Sequence, residues 1–179
     1  MPIDQLASPI SSLTMEFSRI DLVAHWNRCG LSADYLAQFL AYNFAGQEHA
    51  LIVLSTVLNE LIENAVKFSL NGPHPLLLQT SFHGESVALQ TRHLCRRKQA
   101  ERLIHWVMKV NEEDLDDLFV EQIEYTARHN RTASGLGFIT LVKDYGARLG
   151  VRIDPGPTSE YREVIVRAIL RTENVEAPQ

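Results

Sequence analysis

The sequence holds little of what would place a chain quickly. It has two cysteines, Cys29 and Cys95, in 179 residues. They lie far apart in a chain large enough to bury a core without covalent staples, and neither belongs to a metal-ligand spacing, so reduced thiols are expected. No apolar run approaches the roughly 18 residues of a membrane span. The opening MPIDQLASPISS has neither the charged start nor the apolar stretch of a secretion signal, so a cytoplasmic protein without membrane contact is expected. Surplus positive charge is missing too. A formal net charge of −5 and a pI near 5.8 give no general attraction to nucleic acid, and the one basic run, Arg96-Arg97-Lys98, is expected to be a solvated helix start. There are no repeats and no low-complexity segments. With 45% hydrophobic and 22% charged residues the composition is globular, and the length matches one domain over residues 1–179, ordered from about 10 to 171.

What is present is a block order of elements. SLTMEFS alternates Leu13, Met15 and Phe17 with polar residues, the period of a half-buried strand. Helical patterns follow at about Asp21 to Asn27, from Ser32 as N-cap to about Phe44, and from about Gln47 to Ser69, closed by the stop signal LNGPHP. LLLQTSF and SVALQT flank His83-Gly84-Glu85 as a hairpin. Two amphipathic helices are expected next. One spans Gln99 to Val110; the other begins at Asn111, with Leu115, Leu118, Phe119 and Ile123 on its apolar face. A helix from Leu136 to Ala147, the strands LGVRID and EVIVRAIL, and a frayed polar tail complete the chain. This order predicts an α+β two-layer sandwich, with helices on one face of a mixed, mostly antiparallel sheet.

The longest helix carries polar residues inside its apolar pattern. In NELIENAVKFS, Glu60, Asn64 and Lys67 fall within about 60° of one another at 100° per residue, apart from the stripe of Leu54, Leu58, Leu61, Ala65 and Phe68. A carboxylate can deprotonate a hydroxyl or water, an amide oxygen suits Mg²⁺, and an ammonium balances phosphate charge. Ordinary polar residues on a helix edge would give the same spacing. The second feature is TASGLGF, where Gly135 and Gly137 stand at a loop-to-helix junction and would let backbone N–H groups approach an anion. A turn before a helix would need no more than this.

Taken together, NELIENAVKFS and SGLGFITLVKDYGARLGVRI resemble the N-box and G2 box of the GHKL superfamily of ATP-binding domains, across about Leu51 to Ile153. That superfamily includes histidine kinases, DNA gyrase, Hsp90 and the anti-sigma-factor serine kinases. The resemblance implies a histidine-kinase-like ATPase fold, ATP and Mg²⁺ as cofactors, and Asn64 as the metal ligand. It implies Glu60 as the catalytic base, and Lys67, Thr132, Ser134, Gly135, Leu136 and Gly137 as further nucleotide-binding positions. Histidine kinases commonly carry asparagine where Glu60 stands, and His25 has no dimerisation hairpin before it, so phosphorylation of an internal histidine is not expected. The G1 box, D-x-G-x-G, is absent; LQTRHLCRRKQAERLIHWVMKV stands in its place, and a helix pair replaces the usual lid. In that arrangement the chain resembles the SiaB-type branch of bacterial protein kinases.

Two functions follow from the resemblance. One is a partner-switching Ser/Thr protein kinase that phosphorylates a small partner domain; the other is a catalytically degenerate nucleotide-binding or protein-interaction module. A free-standing ATPase is a third. A homodimer is left open. Asn64→Ala is expected to weaken Mg²⁺-dependent nucleotide binding, because it removes a hard oxygen ligand. Calorimetric titration with and without Mg²⁺ tests this, and unchanged Mg²⁺ dependence would remove Asn64 from the metal.

Overall fold

The computed structural model describes residues 6–128 and 135–176. The chain starts with strand β1 (Ser11–Ser18), whose alternating burial places Leu13, Met15 and Phe17 inward as the sequence pattern predicts. Helices α1 (Arg19–Ala24), α2 (Asn27–Ala41) and α3 (Gln47–Phe68) follow. Strands β2 (Pro75–Phe82) and β3 (Ser86–Arg96) form the expected hairpin, and helices α4 (Arg97–Glu112), α5 (Leu115–Arg128) and α6 (Leu136–Lys143) lead to β4 (Arg148–Pro155), β5 (Tyr161–Arg171) and the short α7 (Thr172–Val175). The strands make one sheet in the order β1-β2-β3-β5-β4, and every neighbouring pair is antiparallel. This is the expected α+β sandwich, with a wholly antiparallel sheet rather than a mixed one.

Sheet and helices meet over a single apolar cluster that runs from Leu22 to Val175. Helix α3 supplies the centre, burying nine residues, among them Leu54, Leu58, Leu61 and Ile62. Against it lies α2, whose inward stripe of Cys29, Ser32, Ala33, Leu36, Ala37 and Leu40 is short-chained enough for close approach of the two helices. Both cysteines are free and buried. The face of the sheet away from this core is polar. Gln79 and Gln90 pair across β2 and β3, Arg167 donates to Gln90 at 2.8 Å and 2.6 Å, and Arg92 pairs with Glu163. Among the described residues no helix is long and apolar enough to cross a membrane.

Several boundaries differ from the sequence reading. Helix α2 begins at Asn27, so Ser32 is not its N-cap but a buried position facing α3, where a small side chain is needed. Asn111 does not open α5. It closes α4 and ties it to the sheet, its Nδ2 donating to the Leu149 carbonyl at 3.0 Å, while Asp114 accepts from the Asp116 and Asp117 N–H groups and so caps α5. Ile123 is 45% exposed rather than inward. Helix α6 stops at Lys143 instead of Ala147. Within the tail expected to fray, Thr172–Val175 folds as α7: Val175 is fully buried, and Thr172 is tied to the hairpin turn through its N–H to the Glu85 carbonyl and its hydroxyl to the Gly84 carbonyl. The basic run Arg96-Arg97-Lys98 is exposed where α4 begins, as expected.

Leu58 and Leu31 give a direct contrast, being fully buried and 63% exposed on adjacent helices. Leu58→Ala is expected to cost roughly 2–5 kcal/mol of stability through lost burial and the cavity left behind, and Leu31→Ala less than about 0.5 kcal/mol. Urea unfolding of both variants checks this, and equal losses would contradict the placement of α3.

Candidate functional site

The C-terminal half of α3, the end of β3 and the starts of α4 and α6 enclose a cleft of about 360 Å³. Its floor is Asn64 and Phe68 of α3 with His93 and Cys95 of β3. One wall is Gln99, Arg102, Leu103 and Trp106 of α4, another is Gln122 and Tyr125 of α5, and Gly135 and Phe138 close the end at α6. The helix pair α4 and α5 therefore covers the cleft and does not extend the sheet. The volume suits a small organic ligand.

Of the residues singled out in the sequence, Asn64 and Gly135 line this cleft, and Glu60 and Gly137 meet beside it. Gly135 is the N-cap of α6, with φ +101°, and a Cβ there would lie 3.0 Å from Cζ2 of the Trp106 ring. Glycine is needed for both reasons: the left-handed backbone and the indole pressed against it. At Gly137 a Cβ would lie 2.0 Å from Oε2 of Glu60, so the carboxylate packs directly on the first turn of α6 because that position has no side chain. Burial raises the Glu60 carboxyl above its ordinary value, the charge of Glu63 adds to the rise, and Lys67 opposes it. A carboxylate held this way is a stronger base than a solvated one. Leu136 is the first residue of α6, half-buried. Thr132 and Ser134 lie outside the described residues.

Lys67 goes elsewhere. Its Nζ donates to Glu63 Oε2 at 3.0 Å and stands 5.8 Å from the centre of the Trp26 ring, while Asn59 donates to the other oxygen of Glu63. Among the described residues no group of three or more His, Cys, Asp or Glu side chains could hold a metal by itself. A Mg²⁺ ion would have to take Asn64 together with phosphate oxygens and water, which is its common mode beside a nucleotide.

Among the cleft residues that sequence reasoning missed are His93 and Trp106. His93 is 3% exposed, and neither ring nitrogen has a hydrogen-bond partner; burial lowers its pKa to about 4, so the imidazole is neutral at pH 7. Nε1 of Trp106 is likewise buried and unpartnered. Cys95 is pushed up to about 11 by burial, so it stays a thiol and is no nucleophile. The interior of the cleft is therefore uncharged, and Arg102 stands exposed at its rim. Inward alternation along β3, through Val87, Leu89, Thr91, His93 and Cys95, was the available signal for His93.

No protein-family model matches this sequence, and comparison with curated proteins finds no match. Solved structures give a different result. The fold is shared with a chain in the crystal structure of the SiaB–SiaC complex from Pseudomonas aeruginosa. The TM-score is 0.62 at 14% sequence identity, over 90% of this chain and 91% of that one. At this identity the likeness is one of fold.

The Glu60 carboxyl supports a prediction by linkage. Because its pKa is raised in the folded state, ionisation disfavours the fold: its stabilising contribution is complete below the ordinary value of 4.5 and is lost as pH rises through the folded pKa. Glu60→Gln is therefore expected to become more stable than wild type as pH rises above about 4.5, with the two converging below it. Denaturant midpoints measured from pH 4 to 8 test this, and parallel profiles would show that burial does not strain the carboxyl.

Proposed function

We propose that the chain is a regulatory Ser/Thr protein kinase of the partner-switching type, transferring phosphate from Mg-ATP to a hydroxyl of a small partner protein. The observation that carries this reading is the meeting of the Glu60 carboxylate with Gly137 at the start of α6, one helical turn along α3 from Asn64 in the cleft. The residues suit such a ligand: an uncharged cleft takes the base, Asn64 offers an amide oxygen to the metal, and the first turn of α6 presents N–H groups toward the phosphates. When bound, Mg²⁺ would neutralise phosphate charge.

In the transfer, Glu60 accepts the proton of the partner's hydroxyl as its oxygen forms a bond to the γ-phosphorus. The bond from that phosphorus to the β–γ bridging oxygen breaks, and ADP leaves with the electron pair. Its raised pKa brings Glu60 closer to the range in which a base works at neutral pH. The shared fold with a chain of an assembly of two proteins supports a protein partner as acceptor. The GHKL resemblance of the two boxes points to the same chemistry.

A second reading is a nucleotide-binding regulator without turnover. It is favoured by Lys67, whose ammonium is paired with Glu63 rather than turned to the cleft, and by the absence of the D-x-G-x-G box. A radiolabelled ATP assay with the candidate partner, beside calorimetry on the same samples, separates the two. Glu60→Gln is expected to lower transfer about 10²- to 10⁴-fold while nucleotide affinity stays within a few-fold of wild type. Equal transfer by wild type and Glu60→Gln would remove the base mechanism. Binding without transfer would favour the regulator.

A further inference from the structure

The most unusual feature of the cleft is polar and unpaid: three nitrogens, two on His93 and one on Trp106, are buried without a hydrogen-bond partner. Unpaired buried polar groups are costly, and few are tolerated in folded proteins without a reason. Both residues line the one cleft, His93 from β3 and Trp106 from α4. Val87 and Leu89, on the same inward face of β3, show that an apolar residue is accommodated along that row, and Phe would preserve most of the indole's packing on Gly135.

Their chemistry defines a ligand. A neutral imidazole offers one donor and one acceptor, and the indole offers one donor. Phe68, Leu103 and Phe138 add apolar walls. A charged group is disfavoured in such an interior, since none of the buried cleft side chains is ionised at neutral pH to balance it. A flat heteroaromatic ring carrying both acceptors and amino donors satisfies all of these conditions.

We propose that His93 and Trp106 read the purine base of the bound nucleotide, the imidazole and the indole supplying its polar recognition. The inference rests on the nucleotide reading of the cleft. The phosphates then lie toward the first turn of α6 and the Asn64 amide.

The test compares Mg-ATP with magnesium tripolyphosphate, which has the phosphates and lacks the base, by calorimetry on wild type, His93→Leu and Trp106→Phe. Wild type is expected to bind Mg-ATP at least about tenfold more tightly than tripolyphosphate. In His93→Leu that ratio should fall toward one with tripolyphosphate affinity unchanged, and Trp106→Phe should lower it in part. The melting temperature of ligand-free His93→Leu should equal or exceed that of wild type, because an unpaired polar group has been replaced by an apolar one; a histidine kept for structure would lose stability instead. An unchanged ratio in His93→Leu overturns this inference and leaves the nucleotide cleft standing. Should that variant fail to fold, an unchanged ratio in Trp106→Phe overturns it. Wild type that takes up neither ligand overturns both this inference and the nucleotide reading.

Discussion

Everything at the site depends on the burial of α3. Its nine buried residues lock the helix between the sheet and α2, at about 1.5–3 kcal/mol for each large apolar side chain. Rotation of α3 would expose that stripe, so the polar positions next to it cannot wander. Asn64 follows the fully buried pair Leu61 and Ile62 by two residues and stands on the cleft floor. Glu60 precedes the same pair, which sets it against α6. A rigid apolar face thus fixes the position of both polar side chains.

The same arrangement explains how much of the site was legible. The period of α3, the break at LNGPHP and the two glycines before ITLV are strong local signals, and the element types they imply are the ones observed. Helical spacing could not resolve which polar neighbour a long side chain would choose. Lys67 shares the arc of Glu60 and Asn64, but Glu63 lies four residues before it, the favourable orientation for a helical ion pair, and captures its ammonium. A flexible four-carbon stem reaches a partner that a helical projection does not show.

His93 was hidden for another reason. The run TRHLCRR looks polar, so the strand reads as ending at Thr91, whereas β3 continues to Arg96 with the arginines at positions 92 and 96 exposed and His93 and Cys95 inward. Its pairing with β5 persists along the full length, His93 opposite Val164 and Cys95 opposite Arg162, and this pairing carries the strand past the point where composition stops supporting it. Likewise Asn111 reads as a helix start because it precedes a run of acids; the bond from its amide to the Leu149 carbonyl, unseen in the sequence, makes it an end.

The cover of the cleft is built on different terms from its floor. Helix α5 has one fully buried residue, Leu118, against nine in α3. Beside Leu118 and the half-buried Leu115 and Phe119, surface groups tie it to its neighbours: Lys109 of α4 reaches Glu121, and Lys143 of α6 reaches Asp116 while standing 5.5 Å from the Phe119 ring centre. Exposed ion pairs contribute little each, about 0–1 kcal/mol, and weaken with salt. The free energy needed to displace α5 is accordingly far below that needed to disturb α3, and local opening draws on the least buried segments first. The cleft therefore has a floor fixed by core packing and, at α5, a wall with far less buried apolar surface behind it.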